Sequence, residues 1–299
     1  VSEAVYGAPP LELATPAPDA LQVSPLVPGA GAIEQLADGS QSRIVILAPP
    51  GTLERRYVLA HALRALEASG ELIAMAPKTR GGARLGAELL GFGCEVGESA
   101  RRHHRICRCP RPATPVGIAA AIEAGGPRIA PGAGLWSQPG VFSWDRLDTG
   151  SARLVAALPP LSGRGADLGC GVGVLALAAL RSGAVTELTL IDIDRRAVDS
   201  ARRNVADPRA RFLHADARTA PLEGLDFVVM NPPFHEQGRE ATALGAAFIQ
   251  TAARMLRKGG TCYMVANAML PYEAPLDSAF KRTTLLSRAG GYKVYEGRM

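Results

Sequence analysis

Hydrophobic positions along the chain switch between two periods. RIVILAPP (Arg43 to Pro50) is an unbroken apolar run of strand length. In the stretch LERRYVLAHALRALEAS after it, Leu53, Val58, Leu59, Ala62 and Leu66 approximate a 3.6-residue stripe, which predicts a helix with one buried face. ELIAMAP (Glu71 to Pro77) predicts a second strand and TRGGARLGAELLGFG a second helix, so the order strand, helix, strand, helix points to a parallel α/β sheet. The segment Gly125 to Gly140, dense in Gly and Pro, marks a domain boundary. The pattern then restarts. Helix GSARLVAALPP leads to strand ADLGCG, helix VLALAALRSG, strand ELTLIDI and helix RRAVDSARRNVAD. Strands ARFLHAD and DFVVMNPP, helix ALGAAFIQTAARMLRKGG and strand TCYMVANA complete a doubly wound sheet. Residues 1–42, rich in Pro, Ala and Gly with weak periodicity, are expected to be irregular. The predicted organisation is therefore 1–42 irregular, 43–130 a smaller α/β domain and 131–299 a second, larger one. Two consecutive α/β units suggest a duplication, although no strong residue-level repeat links them.

Composition changes this picture little. With 299 residues, 47% of them hydrophobic, the chain can bury two ordinary cores. No apolar run approaches the roughly 20 residues that cross a bilayer. The start VSEAVYGAPP lacks the pattern of a secretory signal, so a cytoplasmic protein without membrane contact is expected. Cys94, Cys107, Cys109, Cys170 and Cys262 are scattered and odd in number, which argues against a disulfide framework. Cys107-x-Cys109 beside His103 and His104 has the wrong gap for a zinc knuckle, so no metal is expected.

Charge adds a partner class. The net charge of +5 favours an anionic partner, and residues 151–299 carry the surplus while residues 1–150 are neutral. The run RRHHRICRCPR (Arg101 to Arg111) holds five arginines and no acid. It is either a solvated edge strand or a phosphate-contacting patch.

The candidate chemistry begins at DLGCGVGVL (Asp167 to Leu175), where a strand gives way to a helix. Glycines there let the backbone turn sharply and approach a ligand. Val174 stands where a dinucleotide fingerprint needs a small residue, so the loop suits a ligand without pyrophosphate. Three acids follow the ends of successive strands. Asp167 is placed to receive an ammonium group. Asp192, about twenty residues past the glycines, is placed to accept ribose hydroxyls. Asp216 is placed to accept from an adenine amine. Together they describe S-adenosylmethionine. The expected cofactor set is Asp167, Gly169, Cys170, Gly171, Asp192, Ile193, Asp216, Ala217 and Asn231. Asp192, Asp194 and Asp216 also suit helix N-caps, Asp194 most of all.

DFVVMNPPFH (Asp226 to His235) is the most specific string. An exocyclic base amine is a poor nucleophile because its lone pair is delocalised into the ring. Asn231 can accept one of its N–H groups through the side-chain oxygen. The carbonyl of Pro232, stiffened by Pro233, can accept the other, and Phe234 can stack on the base. These four residues form the expected catalytic set for methyl transfer to a planar amine.

DLGCGVG, LIDID, HAD and NPPFH, with PGVFSWDRLDTGS, GGTCYMVANAMLPY and the closing YKVYEG, resemble the class I methyltransferases of the RsmC/RlmG type. These modify guanine N2 in ribosomal RNA. The resemblance covers nearly all of residues 135–299. It implies a Rossmann-like catalytic domain preceded by a degenerate methyltransferase-like domain that binds no cofactor. It implies ribosomal RNA or a ribosomal subunit, of the small type, as partner. It also implies that Phe142 and Asp148 help to close the cofactor pocket. Apart from the resemblance, a monomer is expected. The same Asn-Pro-Pro-aromatic motif serves adenine-N6 and protein-glutamine methylation. A non-catalytic ribosome-assembly factor is the reading from a different class.

Overall fold

The computed structural model describes residues 2–233 and 239–299. It divides into two compact units, Val1–Arg128 with Gln138–Gly140, and Ile129–Ser137 with Val141–Met299.

The first unit is built on a six-stranded sheet. Its strands are β1 (Glu3–Tyr6), β2 (Leu21–Gln22), β3 (Gln41–Leu47), β4 (Leu66–Pro77), β5 (Gly97–Arg101) and β6 (His104–Pro110), in the order β2-β1-β3-β4-β6-β5. Helices α1 (Thr52–Ala65) and α2 (Ala83–Leu90) pack on it, and α3 (Ile118–Gly125) packs on α1. β1 to β4 run parallel, while β6 returns antiparallel to β4 with Glu71 opposite Pro110 and Pro77 opposite His104. The predicted stripe of α1 is borne out at Val58, Leu59 and Ala62, all buried. Leu66 has already turned to extended backbone and opens β4.

Most of residues 2–42 is without regular structure, but two short strands in it join the sheet. β1 is inserted between β2 and β3, with Ala4 opposite Ile44 and Tyr6 opposite Ile46, and all four of its residues are buried. Four residues are too few to display a period, and their hydrogen-bond partners lie about forty positions away, beyond any local pattern. β1 and β2 thus belong to the same compact unit as β3 and the strands after it.

The arginine run forms most of the β5–β6 hairpin. Arg102 and His103 take positive φ at its tip, as a two-residue reversal of this hand requires. Its charge is answered locally. Arg102 pairs with Glu12, Arg105 with Glu98 at 2.9 Å and Arg108 with Glu71 at 3.5 Å, while Arg101 donates to the Glu12 carbonyl. The structure thus favours the solvated edge over a free phosphate patch. Cys107 and Cys109 alternate inward into the same core as Cys94. Burial pushes the Cys107 thiol up to about 12, which leaves it a packing group.

After β7 (Arg128–Ile129) and β8 (Trp136–Ser137), the second unit carries α4 (Thr149–Ala157), β9 (Gly163–Leu168), α5 (Val174–Ala179), β10 (Val185–Asp192), α6 (Arg195–Asn204), β11 (Ala210–His214) and β12 (Leu225–Met230). It continues through α7 (Arg239–Met255), β13 (Leu256–Asn267), α8 (Glu273–Ala279), β14 (Arg282–Ala289) and β15 (Tyr292–Arg298). Its seven strands take the order β11-β10-β9-β12-β13-β15-β14, parallel except for the closing β14–β15 hairpin. The predicted doubly wound sheet is present. The hairpin escaped the pattern because its Leu285 and Leu286 face outward and blur the alternation, and the short β7, β8 and α8 escaped it too.

Set side by side, the two strand orders are one order, the first lacking the counterpart of β11. The match reaches single residues. Leu66 pairs with Gln41 and Leu256 with Leu225, and in both sheets the register then shifts before the next pair, Arg43 with Glu71 and Phe227 with Thr261. Ala48-Pro49-Pro50 leaves β3 as Asn231-Pro232-Pro233 leaves β12. This is the repeat that the sequence alone conceals. Between β1 and β2 the first unit has no helix and no glycine loop, whereas α5 and the Gly169–Gly173 loop stand between β9 and β10.

Candidate active site

β9 ends at Leu168, and the chain reverses through Gly169, Gly171 and Gly173, with φ of +70°, +51° and +92°. A side chain is excluded at Gly173 on two counts, its left-handed backbone and the Val205 methyl that a Cβ would meet at 2.9 Å. The loop is sewn to the end of β10. The amides of Gly169 and Cys170 both donate to the Ile191 carbonyl at 2.9 Å, and the Gly171 amide donates to Asp192 Oδ2 at 2.9 Å. Asp192 Oδ1 accepts from the Asp194 amide. Burial raises the Asp192 carboxyl to about 6, against the pull of those amides and of His214. Asp194 caps α6 and pairs with Arg196, as its position suggested.

Asn204 was not foreseen. Its amide accepts from the Trp136 N–H at 2.8 Å and donates to the carbonyls of Trp136 and Val172, both at 2.9 Å. One side chain thereby ties the glycine loop to β8. No sequence signal marks it, since Asn at a helix end is common.

A cavity of about 260 Å³ opens above the loop. Its wall includes Gly169, Gly171, Asp192, Ile193, Asp216, Ala217, Asn231, Pro232 and Pro233 from the expected sets, with Phe142 across from them. Cys170 and Asp148 line a smaller recess that shares Phe142, Gly169, Gly171 and Asn231 with it. Arg218, Leu244 and Phe248 complete the main wall. The last two are one helical turn apart on α7, an apolar spacing visible in the sequence but read there only as part of a helix. Phe234 lies outside the described residues.

Two acids stand otherwise than expected. Asp167 is completely buried beneath the loop rather than in the wall, and neither carboxylate oxygen has a hydrogen-bond partner. Burial and the nearby Asp192 charge push it up to about 8. Asp216 is in the wall, but its carboxylate is held by the Arg218 guanidinium at 2.6 Å and 2.9 Å and by the Arg218 amide, which keeps its pKa low. An Asp-x-Arg pair across a capped turn explains this, and the spacing was legible. Among the described residues no group of three His, Cys, Asp or Glu is placed to hold a metal ion.

The geometry at Asn231 is the most specific. Its Nδ2 donates to Asp148 Oδ2 at 2.8 Å and to Ser151 Oγ at 2.9 Å. A carboxylate only accepts, so these contacts fix which end of the amide is nitrogen. Oδ1 is left buried and without a hydrogen-bond partner, on a residue of the cavity wall. An unpaired buried acceptor costs roughly 1–3 kcal/mol, which marks a place where a donor belongs. Asp148 is thus turned to Asn231 and to the α4 cap, where it also accepts from the Ser151 amide at 2.7 Å, rather than to the cofactor cavity as such.

The methyltransferase small domain family matches residues 132–296. The ribosomal RNA small subunit methyltransferase C of Aeromonas hydrophila is 30% identical over 84% of the chain and 75% of its own length. That of Shewanella sediminis is 35% identical over 54% of the chain and 47% of its own length, so the chain spans about half the length of such relatives. The T. thermophilus 16S rRNA N2 methyltransferase RsmC, solved with AdoMet and guanosine, has the same fold over 100% of the chain and 88% of its own, with a TM-score of 0.80 at 24% identity. Family match, Aeromonas relative and shared fold lead to one statement: the chain belongs to the methyltransferase small domain family, in the group of the ribosomal RNA small subunit methyltransferase C proteins.

Proposed function

We propose that the second unit transfers the methyl group of S-adenosylmethionine to the exocyclic N2 amine of a guanosine in ribosomal RNA of the small subunit. The observation that carries this is the buried, unpaired Oδ1 of Asn231 in the cavity wall. A planar NH2 is the group that satisfies it.

The residues present fit the cofactor. A Cβ built on Gly171 meets nothing within 4 Å, so the loop is open on its ligand side. Asp192 offers a carboxylate to ribose hydroxyls, and Phe142, Leu244 and Phe248 give apolar walls for the flat parts of the molecule. When bound, the cofactor supplies an electrophilic methyl group on a sulfonium.

The chain's own groups do the rest. Asn231 Oδ1 accepts one N–H of the target amine, and the Pro232 carbonyl accepts the second. Both bonds strengthen as the nitrogen becomes more positive, so they favour the transition state over the ground state. Their fixed directions hold the nitrogen in line with the methyl group, which removes orientational freedom before reaction. Stacking on the base is assigned to Phe234. Site roles for Asp167, Gly169, Cys170, Ile193, Asp216 and Ala217 belong to the same reading, with Asp167 acting from below the loop as a buried charge. The RsmC relative was solved with AdoMet and guanosine together, which supports the pairing of cofactor and base. In this reading the protein works in the cytoplasm as a monomer on free or assembled ribosomal RNA. No helix among the described residues is long and apolar enough to cross a membrane.

The test is transfer of a labelled methyl group from S-adenosylmethionine to unmodified small and large ribosomal subunits and to their naked RNAs, with nucleosides separated afterwards. N2-methylguanosine from the small subunit is expected, and none with Asn231→Ala. Label on adenine or on protein glutamine would replace the substrate, and cofactor binding without any label would replace the enzyme with an assembly factor.

A further inference from the structure

Asn231 is useful to an amine only while its oxygen, and not its nitrogen, points at the cavity. The two ends of a side-chain amide are nearly equal in size, so shape alone does not choose between them. The choice is made by what stands behind. Asp148 Oδ2 takes the Asn231 Nδ2 at 2.8 Å and Ser151 Oγ takes it at 2.9 Å. Asp148 is itself anchored, because the same Oδ2 accepts the Ser151 amide at 2.7 Å as the N-cap of α4. Its backbone is fixed too, since the Asp148 carbonyl accepts from the Ala152 amide at 3.0 Å. Gly150, next to the cap, must stay small, for a Cβ there would meet Asp148 Oδ2 at 3.0 Å and the Tyr292 ring at 2.9 Å.

We propose that Asp148 and Ser151 are positioning residues which lock the Asn231 amide with Oδ1 toward the cavity, and so make the site a receiver of N–H groups and not of carbonyl oxygens. The inference rests on the functional reading above and deepens it. It assigns Asp148 to the orientation of the target amine rather than to cofactor binding. A negative charge behind Nδ2 also polarises the amide and leaves Oδ1 a stronger acceptor for a nitrogen that gains positive charge.

Both bonds at Asp148 fall on one oxygen, which makes the test clean. Asp148→Asn retains one carbonyl oxygen and therefore both bonds. Asp148→Ser retains the helix cap, which a hydroxyl can make, but is too short to reach Asn231. With unmodified small subunits as substrate, Asp148→Ser is expected to lower kcat by roughly 10²-fold, the usual cost of a misplaced reacting group. KM for the RNA and the cofactor Kd should stay within about twofold, and Asp148→Asn should keep most of the activity. In ¹⁵N spectra the Asn231 side-chain amide, identified by its loss in Asn231→Ala, should show slow hydrogen exchange in the native protein and fast exchange in Asp148→Ser.

The proposal is overturned if Asp148→Ser keeps the native kcat, which would leave only a cap. It is overturned equally if Asp148→Ser changes the cofactor Kd alone, or if the exchange of that amide is unaltered. Asp148→Asn failing as badly as Asp148→Ser would assign the effect to charge and remove the orientation argument. If the native protein methylates no planar amine, the functional reading falls and takes this inference with it. A silent Asp148→Ser beside an inactive Asn231→Ala removes the inference alone.

Discussion

The first unit and the second share a strand order, a repeated register shift and a Pro-Pro turn, and they differ in what the turn's carbonyls meet. In the second unit Asn231-Pro232-Pro233 borders an open cavity. In the first, Ala48-Pro49-Pro50 faces Arg55, whose Nη1 donates to the carbonyls of Pro50 at 2.7 Å and Pro49 at 3.2 Å. The rest of that guanidinium is clamped by both oxygens of Glu88 at 2.6 Å. A flat group with N–H donors thus satisfies the same carbonyls that the second unit would offer to a base, but it belongs to the chain and is only 1% exposed. With the asparagine gone, the glycine loop missing and the turn filled, the first unit has the frame of the second without its means of binding. Chemistry in this fold resides in the strand ends, and the sheet survives their loss.

The sharpest way to break the comparison is to remove the filling. Arg55→Ala should destabilise the first unit by about 3–5 kcal/mol, because it strands a buried Glu88 carboxylate. Arg55→Met with Glu88→Leu should recover much of that. Denaturant unfolding of each variant measures both. Nearly as large is the effect of Asn231→Ala, expected to cost 10²–10³-fold in kcat, or about 3–4 kcal/mol, with cofactor affinity within a few-fold. The reciprocal Ala48→Asn should create nothing. Calorimetric titration should still count one cofactor site per chain, and a second site would show that the first unit had kept more than its frame.

Acidity should separate the units by opposite signs. His61 of α1 is buried with neither ring nitrogen bonded, and burial, then the Arg64 charge, lower its pKa to about 4. The unfolded group titrates near 6.5, so the first unit keeps its full stability above that pH. It loses up to about 3 kcal/mol as pH falls toward 4. Asp167 runs the other way. Its folded pKa of about 8 lies above its unfolded value of 3.8, so the second unit is least favoured above pH 8 and gains stability as pH falls from there. Hydrogen exchange read separately in α1 and in β9, at several pH values, should show the two slopes, and His61→Phe should flatten only the first. The smallest expected effect is on affinity. Asp192→Asn should weaken cofactor binding about tenfold to a hundredfold, and it should remove the loss of affinity expected of the native protein below pH about 6.

Much of this site could be read before the fold was known, and the reason is geometric. Functional side chains in a doubly wound sheet sit where strands end, and strand ends are written locally, as an apolar run stopping at Asp192, Asp216 or Asn231. What stayed hidden depends on distance or on loss. Asp148 and Asn231 are 83 positions apart and meet only because α4 docks on β13, the neighbour of β12 in the sheet. β1 has four residues and finds its neighbours far along the chain. The kinship of Ala48-Pro49-Pro50 with Asn231-Pro232-Pro233 was erased at its one diagnostic position, and only the matching registers restore it. Asp167 and Asp216 are legible as acids at strand ends, but the total burial of the first and the Arg218 clamp on the second have no local signature.

The register of β12 also bears on which histories are open to such a chain. Met230 lies opposite Leu168 and Met264, so Asn231 emerges level with the first glycine of the loop. Side chains alternate between faces along a strand, and one residue added or lost between Leu225 and Met230 would turn Asn231 away while moving the core residues out. Letters in this segment can change with small consequence, as Val for Ile, but its length cannot. Insertions should therefore accumulate at the opposite ends of the strands, around Ser182 to Ala184 or Pro221 to Gly224, where the chain only has to return. Descendants of this fold are free to grow at one edge of the sheet and are held to an exact count at the other.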